Sequence, residues 1–381
     1  MRILYILHST SHAGSAISFL NMVQGVTELG VTALVVGPSP EEWFLNDLQS
    51  HRIEYKSVCI AECVYPSRES IKDKVLFIPR ILNLFRRRKR SYQEIVKIAS
   101  FFQPDIIHTN VGTIHEGLTV AKNIRVPHIW HIREYQARAS VWSPFPTMNS
   151  LVRKFKESYI IAISRGLVPY YKLDGYKRAT VIYNGIAYKS QKSLQWPRDR
   201  FFLCASRISA EKGINDVIKA FARFCRGKND YRLVILGDGD DSYIQYLQSL
   251  ATSLDCEKAI CWEGFRPNVM DYMRKARGLI VASHLEGFGR MTAEASFAGC
   301  LVIGRNSTGT KEIIECTGGF LFDTVEDLFQ GMVCLADLSE KEYMALAYKS
   351  QKRAVEAFSI EKNVDGVLGF YNHILKEQNN S

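Results

Sequence analysis

Residues 278–294 read Gly-Leu-Ile-Val-Ala-Ser-His-Leu-Glu-Gly-Phe-Gly-Arg-Met-Thr-Ala-Glu, and this stretch indicates the fold. The apolar run Gly278–Ser283 predicts a buried strand, the glycines that follow predict a loop, and a helical stretch begins at about Arg290. In open α/β sheets, ligands bind beyond the carboxyl ends of the strands. A glycine loop at this place therefore predicts a ligand site.

The residues of this loop suit a ligand that carries both a phosphate and a sugar. Glycines let the backbone approach a ligand closely, and the N–H groups and dipole at a helix start attract an anion. Glu286 and Glu294 bracket that anion site. A carboxylate repels phosphate but accepts hydrogen bonds from hydroxyl groups. The pattern favours a nucleotide sugar.

The same alternation of short apolar strands and helix-length amphipathic stretches runs along the whole chain, and it is typical of parallel sheets with crossover helices. It occurs twice. In the first half the predicted strands lie near Ile3–Leu7, Ala33–Val36, Ile106–His108, His128–Trp130, Tyr159–Ala162 and Thr180–Ile182. In the second half they lie near Phe201–Ala205, Arg232–Leu236, Ile260–Trp262, Leu279–Val281 and Leu301–Ile303.

The length of 381 residues favours two domains, because it exceeds what one hydrophobic core usually supports. Tyr188–Pro197 is polar and ends in a proline, as expected of a linker. We expect an N-terminal domain over residues 1–190 and a C-terminal domain over residues 197–358. A helix within residues 359–381 is expected to pack back against the N-terminal domain.

The composition limits the class of protein and its partners. The chain is 46% hydrophobic and 23% charged, as globular proteins are, and its net charge of +10 favours a polyanionic partner. That partner is nucleic acid, an anionic membrane or a phosphorylated substrate. The nine cysteines include no C-x-x-C pair, so neither a zinc site nor a redox centre is indicated. Because no signal peptide and no spanning helix are recognised, we expect a cytoplasmic protein.

The sequence resembles the retaining GT-B glycosyltransferases of glycosyltransferase family 4, group 1, which carry two glutamates separated by seven residues. Glu286 and Glu294 match that pair. Ser206–Gly213 follows a predicted strand, as the family's diphosphate-binding Arg and Lys do, and Asn184-Gly185 precedes the linker as expected. The resemblance covers nearly the whole chain. It implies an α/β GT-B fold, with two Rossmann-like domains facing across a cleft.

The resemblance also implies a nucleoside-diphosphate sugar on the C-terminal domain and an acceptor on the N-terminal domain. It assigns the diphosphate to Arg207 and Lys212, a donor-sugar hydroxyl to Glu286, and the ribose to Glu294. His131 matches a family histidine near the reacting centre, which makes it a candidate catalytic residue together with Arg207, Lys212 and Glu286. Further donor contacts are expected from residues spread over several loops: Gly14, Arg266, Gly287, Phe288, Gly289, Thr310 and Glu312.

Two loops depart from the family's pattern. Ala13-Gly14-Ser15 stands where many relatives carry adjacent glycines, and Ser307–Thr310 replaces a commoner double-glycine turn. His8, His12 and His108 are assigned ordinary structural roles. Asp238-Gly239-Asp240 looks like an Asp-x-Asp metal motif, but it follows a predicted strand, where such residues form a strand-to-helix turn. We therefore expect no divalent metal and no cofactor.

The reaction that the resemblance implies is transfer with retention of configuration. Breaking the sugar–phosphate bond develops negative charge on the leaving diphosphate, which Arg207, Lys212 and the helix start would stabilise. No carboxylate is clearly placed as a nucleophile, so we favour a front-face displacement over a double displacement. A GT-B sugar-nucleotide epimerase and a non-catalytic, partner-binding transferase subunit remain alternatives. A nicotinamide dehydrogenase is disfavoured because the first strand lacks G-x-G-x-x-G.

Phe77–Arg90 combines an apolar cluster with five consecutive cations in the predicted acceptor domain. Such a segment suits docking on an anionic membrane surface, where apolar side chains enter the interface and cations meet head groups. It is also compatible with a solvated helix face. No recognition motif accompanies it, so nucleic acid is not the expected partner. We expect a lipid-linked or glycan acceptor, in cell-surface polysaccharide or glycolipid assembly, and a peripheral position on the inner face of the membrane.

Overall fold

The computed structural model describes residues 1–66, 70–136, 143–192 and 194–379. The chain forms two compact units, one made of Met1–Gly185 with Ile360–Ser381 and the other of Ile186–Ser359. Each unit is a parallel sheet flanked by helices, which confirms the predicted α/β fold with two Rossmann-like domains. The predicted linker, Tyr188–Pro197, lies in the second unit.

The first unit is built on a seven-stranded sheet with the order β3-β2-β1-β4-β5-β6-β7. Its central strands are buried along almost their whole length, because helices cover both faces of a parallel sheet. The strands are β1 Arg2–Ile6, β2 Thr32–Gly37, β3 Glu54–Ser57, β4 Ile106–Thr109, β5 His128–Ile132, β6 Tyr159–Ala162 and β7 Ala179–Val181. The helices are α1 Gly14–Glu28, α2 Glu42–Ser50, α3 Ile71–Val75, α4 Phe77–Phe102, α5 Glu116–Ile124, α6 Met148–Phe155 and α7 Leu167–Tyr170.

The second unit is built on a six-stranded sheet with the order β10-β9-β8-β11-β12-β13. The strands are β8 Asp199–Ala205, β9 Arg232–Leu236, β10 Ile260–Gly264, β11 Ala276–Val281, β12 Val302–Arg305 and β13 Phe320–Phe322. The helices are α8 Ile214–Gly227, α9 Asp241–Ser253, α10 Val269–Lys275, α11 Arg290–Phe297, α12 Thr308–Thr317, α13 Val325–Asp337 and α14 Glu340–Phe358.

The last helix, α15 (Ile360–Asn379), belongs to the first unit and packs against α1. It buries Val364, Val367, Tyr371 and Ile374, whose spacing of three or four residues places them on one face. A Cβ on Gly25 of α1 would lie 2.4 Å from Val364 Cγ2, so the absence of a side chain there allows the close approach.

All the predicted strands overlap observed ones, but β3 and β13 were not predicted. Each lies at an edge of its sheet and is only partly buried. β3, Glu-Tyr-Lys-Ser, has no apolar run, and β13, Phe-Leu-Phe, is apolar but only three residues long, so the apolar pattern used for prediction marks neither.

Each sheet has one switch point, where the order of the strands reverses: between β1 and β4 in the first unit, and between β8 and β11 in the second. Loops that leave neighbouring strands at a switch point diverge to opposite faces and open a crevice for a ligand. The loops after β8 and β11 are the two that carry most of the predicted donor residues. In the described part of the chain, none of the helices is long and apolar enough to cross a membrane.

Candidate active site

The loop after β8 lies at the switch point of the second unit and is fixed by its neighbours. Ile208 donates its N–H to Asp238 O at 2.8 Å, which ties this loop to the one after β9. At Gly213, φ is +66° and a Cβ would lie 2.4 Å from Ala282 O. Only glycine fits this conformation so close to another backbone, so the turn that ends at Lys212 is held in place.

Lys212 and Glu286 form an ion pair across this switch point. Lys212 Nζ donates to Glu286 Oε1 at 2.7 Å, and the two side chains are 20% and 24% exposed. Lys212 follows β8 and Glu286 follows β11, so adjacent strands bring the two residues together. The partly buried ammonium group of Lys212 carries a positive charge that can bind an anionic group of a ligand.

Arg207 lies in the same loop but pairs with Glu211 and not with Glu286. Its side chain is 74% exposed, and its Nη2 lies 3.5 Å from Glu211 Oε1. Exposed ion pairs contribute little to stability, so this contact holds the guanidinium weakly. The structure does not bring Arg207 to the Lys212–Glu286 pair.

The glycine loop after β11 is held by the start of α12. Glu286 N donates to Thr308 Oγ1 at 2.9 Å, and Glu286 O accepts from Gly309 N at 3.1 Å. A Cβ on Gly309 would lie 2.4 Å from Phe288 C, so the two backbones touch. Thr308 has a φ of +42°, which is rare for a β-branched residue, and its hydrogen bond to Glu286 helps to offset that strain. Thr308 was not among the predicted site residues.

The side chains of the predicted loop residues differ in their surroundings. Phe288 is 4% exposed and packs edge-on against Phe358, with ring centroids 5.6 Å apart. Its side chain is part of the core, which leaves the backbone of Gly287, Phe288 and Gly289 as the part of the loop able to meet a ligand. Gly289 has a φ of +88° and directly precedes α11, whose first N–H groups open onto this loop.

Glu294 lies further along α11 and is paired with a residue of the same helix. Its Oε1 is 2.7 Å from Arg290 Nε, and both side chains are largely buried. A second carboxylate and a second cation therefore lie on the helix that follows the glycine loop.

The other predicted donor residues are spread apart. Arg266 follows β10, and its Nη2 donates to Glu263 Oε2 at 2.9 Å. Glu312 is partly buried in α12, and Thr310 is completely buried there with no hydrogen-bond partner for its hydroxyl among the described residues. Gly14 lies in the other unit, exposed at the start of α1.

The carboxylates of Asp238 and Asp240 are engaged in turn and cap hydrogen bonds. Asp240 caps α9 by accepting from the N–H groups of Ser242 at 3.0 Å and Tyr243 at 3.2 Å. Asp238 accepts from Phe265 N at 3.1 Å. This geometry is what the strand-to-helix turn interpretation predicts. Among the described residues, no group of three or more His, Cys, Asp or Glu is placed to hold a metal ion.

His131 lies in the first unit, in a buried chain of hydrogen bonds. His131 Nδ1 is 3.1 Å from His108 Nε2 and 3.4 Å from Arg133 Nη2. His108 Nδ1 is 2.6 Å from Tyr371 Oη, which is 3.1 Å from Tyr5 Oη. The chain thus links β1, β4 and β5 to the C-terminal helix. His108, which was assigned an ordinary structural role, is a direct partner of the candidate catalytic histidine.

These contacts select one tautomer of His131. Burial, followed by the charge of Arg133, holds the pKa values of His108 and His131 well below their ordinary value, so both rings are neutral. Arg133 can only donate, so Nδ1 of His131 accepts and its proton lies on Nε2. His131 Nε2 is buried and has no hydrogen-bond partner among the described residues. Arg133 itself is held by Asn110 Oδ1 and Asn184 Oδ1, each at 2.8 Å.

Comparison with known proteins identifies the second unit. Residues 188–353 match the family model for glycosyl transferases group 1. The chain carries a group 1 glycosyltransferase domain. This confirms the resemblance to group 1 glycosyltransferases that the two glutamates and the Arg207–Lys212 loop indicated, and it indicates a transferase enzyme.

The glycosyltransferase is similar to two curated proteins named Alpha-monoglucosyldiacylglycerol synthase. The protein from Acholeplasma laidlawii is 26% identical over 401 residues, covering 92% of this chain and 95% of the relative. The protein from Streptococcus pneumoniae is 27% identical over 312 residues, covering 71% of this chain and 69% of the relative. These relatives favour transfer over the epimerase and non-catalytic alternatives.

The fold of the glycosyltransferase is that of solved GT-B structures. Anabaena Alr3699/HepE in complex with UDP matches with a TM-score of 0.78 at 19% identity, covering 98% of this chain and 100% of the other. The same protein in complex with UDP-glucose gives a TM-score of 0.75 at 18% identity and covers 100% of both chains. The predicted GT-B fold is confirmed.

Proposed function

We propose that this glycosyltransferase moves a hexose from a nucleoside-diphosphate sugar to a lipid-linked or glycan acceptor at a membrane surface, with retention of anomeric configuration. The observation that carries the proposal is the Lys212–Glu286 pair at the switch point of the second unit. The names of the two curated relatives support a glycolipid product, and the UDP and UDP-glucose complexes of the structural relative support a uridine-diphosphate donor.

Donor binding would exchange one partner of Lys212 for another. The ammonium group of Lys212 is balanced by Glu286. A diphosphate carries more negative charge than one carboxylate, so it would take over Lys212 together with the N–H groups that start α11. Glu286 would then accept a hydrogen bond from a sugar hydroxyl, and Glu294 would do so from the ribose. Arg207 would move inward from its exposed position.

The same groups would stabilise bond breaking. Negative charge grows on the leaving diphosphate as the bond to the anomeric carbon lengthens, and Lys212, Arg207 and the helix start oppose it. A leaving phosphate oxygen would take the proton of the attacking hydroxyl on the same face of the sugar, which gives retention. No metal ion is needed in this scheme. His131, whose Nε2–H has no hydrogen-bond partner among the described residues of the first unit, stays a predicted catalytic residue.

The first unit presents an apolar docking face, which we define as Ile71, Val75, Ile78, Leu82 and Phe85. These side chains are between 49% and 82% exposed and are spaced three or four residues apart along α3 and α4, so they form one stripe. A contiguous exposed apolar stripe at this spacing is typical of helices that lie in a membrane interface.

The cations that adjoin the docking face are only part of the predicted run of five. Arg88 pairs with the buried Glu116 at 2.7 Å and Arg87 donates to Ile60 O at 2.5 Å, so these two serve the fold. Arg86 and Lys89 are exposed and lie one helical turn beyond Leu82 and Phe85. Each cation near an anionic surface adds about 1 kcal/mol to binding.

The function is tested by incubating the enzyme with UDP-, GDP- or ADP-glucose and vesicles that contain diacylglycerol or a glycosyldiacylglycerol. We expect a glycolipid product from one of the donors, detected by mass spectrometry. NMR of the product is expected to show the same anomeric configuration as the donor. An inverted product would refute retention, and no glycolipid product from any donor would refute a lipid acceptor.

Membrane docking is tested by co-sedimentation with vesicles of increasing phosphatidylglycerol content at low salt. We expect the double variant Arg86→Gln, Lys89→Gln to bind at least tenfold more weakly. The variant Ile78→Gln, Leu82→Gln should lose binding even to strongly anionic vesicles. The matched control is Lys349→Gln, Lys352→Gln, which removes two exposed cations from α14 of the second unit. Equal binding of all variants would exclude this surface.

A further inference from the structure

The side chain of Arg305, at the end of β12, contacts the segments next to both loops that carry the Lys212–Glu286 pair. Its Nε donates to Ala282 O at 2.8 Å, and its Nη2 donates to Asp216 Oδ2 at 2.5 Å. Ala282 directly follows β11, and Asp216 lies in the first turn of α8. One guanidinium group therefore joins the strand that leads to Glu286 to the helix that follows Lys212.

The Arg305–Asp216 ion pair is largely withdrawn from solvent. The two side chains are 13% and 21% exposed, and the guanidinium carbon lies 5.0 Å from the centroid of the Phe322 ring. Partly buried ion pairs are screened by salt much less than exposed ones. The planar guanidinium group also fixes the direction of each bond that it donates. The contact is therefore directional and persistent, unlike the exposed Arg207–Glu211 contact.

Residues 305–308 support the glycine loop through hydrogen bonds to the backbone of every second residue. These bonds are Arg305 Nε to Ala282 O, Ser307 Oγ to His284 O at 2.7 Å, and Glu286 N to Thr308 Oγ1 at 2.9 Å. Because Arg305 also bonds Asp216, it extends this support from the loop after β11 to the loop after β8.

Arg305 acts at the point where the two loops approach each other most closely. Gly213, which directly follows Lys212, lies so near Ala282 O that a Cβ would be 2.4 Å from it. The same oxygen accepts the hydrogen bond from Arg305 Nε. A change at Arg305 would therefore disturb the contact that places the turn carrying Lys212.

We propose that Arg305 is a positioning residue that sets the distance between Lys212 and Glu286. It acts by its two directed hydrogen bonds and not by its charge, because Asp216 balances that charge. A misplacement of about 1 Å between groups that act together can cost about 10²-fold in rate. This inference rests on the proposed function, since it concerns how the two residues are placed for the donor.

The first test separates position from charge. Arg305→Lys keeps the charge but loses the fixed fork that holds two partners, so turnover at saturating donor should fall about tenfold. Asp216→Asn removes one of those partners and should lower turnover about threefold. It changes a partly exposed residue, so it decides if Arg305→Lys does not fold.

The opposite results are expected if Arg305 binds the diphosphate directly. Arg305→Lys would then retain turnover, because lysine also carries a positive charge. Asp216→Asn would tighten donor binding in calorimetry, because it frees the guanidinium group from its carboxylate. Either result would overturn the proposal.

The second test shows whether Arg305 acts through Lys212. In the Lys212→Ala background, Arg305→Lys should change turnover by less than about twofold, because the effects of residues that share one role do not add. A general loss of folding stability would lower turnover by the same factor in both backgrounds. Equal factors would therefore overturn the proposal.

The matched control is Arg223→Lys on α8. Arg223 also pairs with a carboxylate, that of Glu326, and lies over an aromatic ring, that of Phe329 at 4.6 Å. These contacts join α8 to α13 instead of β11. We expect wild-type turnover in this variant. A loss equal to that of Arg305→Lys would show that the effect is not particular to Arg305.

Hydrogen exchange separates this inference from the proposed function. The bond from His284 N to Glu211 O, at 3.0 Å, joins the two loops and reports on their spacing. We expect Arg305→Lys and Asp216→Asn to speed exchange in peptides that cover residues 207–216 and 282–289, and Arg223→Lys to leave it unchanged.

If the wild type transfers no sugar from any nucleoside-diphosphate donor while exchange rises as expected, the proposed function fails and the positioning by Arg305 stands. If the wild type is active and Arg305→Lys matches it in both turnover and exchange, the inference about Arg305 fails alone.

Discussion

The switch points of the two sheets carry polar groups of opposite character. In the second unit, Lys212 and Glu286 lie on loops, partly open to solvent and joined by one ion pair. In the first unit, His108, His131 and Tyr371 are completely buried and joined in a chain of hydrogen bonds. The switch point of the second unit therefore carries a charged ion pair on loops, and that of the first unit carries an uncharged, buried hydrogen-bond network.

The largest effect is expected when the positive charge of Lys212 is removed from the second unit. We expect Lys212→Ala to lower turnover by about 10² or more, because it removes charge stabilisation that grows towards the transition state. Arg207→Ala should cost less if its exposed position reflects a weaker hold on the diphosphate. Steady-state kinetics at saturating donor measures both.

The control for these variants is Lys219→Ala, which removes an exposed lysine from α8. Circular dichroism should show that all three variants are folded. Near-wild-type turnover in both Lys212→Ala and Arg207→Ala would show that the diphosphate lies elsewhere.

A second prediction concerns the neutral, buried histidines of the first unit and the effect of pH on its stability. Burial lowers the pKa values of His108 and His131 well below their ordinary value and those of His115 and His128 to about 3. Below an unfolded-state pKa of about 6.5, the unfolded chain binds protons that the folded chain does not. The free energy of unfolding of this unit should therefore decrease as the pH is lowered, by about 2 kcal/mol per buried histidine between pH 7 and pH 5.

The second unit provides the internal control, since His284 is its sole histidine. Hydrogen exchange corrected for intrinsic rates would follow β4 and β5 in the first unit against β8 and β11 in the second. Equal loss of protection in both sheets on acidification would contradict a special role for the buried histidines.

The difference between the units also explains how much the sequence revealed. A candidate donor site could be proposed from the sequence because Lys212, Glu286 and Glu294 lie in short motifs directly after strands, where local pattern and position coincide. The His108–Tyr371 contact joins residues 263 positions apart, and no local pattern marks it. Thr308 was missed because a threonine with positive φ contradicts its ordinary preference. The edge strand β3 was missed because it lacks an apolar run, and β13 because its apolar run is only three residues long.

A smaller effect is expected at Thr308, which holds the glycine loop. Thr308→Val keeps the shape but leaves Glu286 N without its acceptor, which costs about 1 kcal/mol and should lower turnover several-fold. Thr308→Ser keeps the hydroxyl and should retain most of the activity. If valine and serine behave alike, the hydroxyl does not position Glu286.

The smallest expected effect is that of a chelator. Because Lys212, Arg207 and the start of α11 supply the positive charge in the proposed scheme, transfer should proceed in excess EDTA without added divalent ions. Asp238→Asn should then lower stability more than donor affinity, since Asp238 bonds the Phe265 N–H. Activity lost on chelation and restored by Mg²⁺ or Mn²⁺ would place a metal ion in the second unit after all.

The return of α15 to the first unit has a consequence for the order in which the protein is made. Tyr371 leaves the ribosome after the whole second unit, yet it completes the hydrogen-bond chain that includes Tyr5. At ordinary synthesis speeds of 5–20 residues per second, Tyr371 is made roughly 10 to 40 s after the last strand of the first sheet. During that time the α1 surface around Gly25 lacks its covering helix. The first unit therefore completes its hydrogen-bond chain and its packing against α1 only after Ile360–Asn379 has been made.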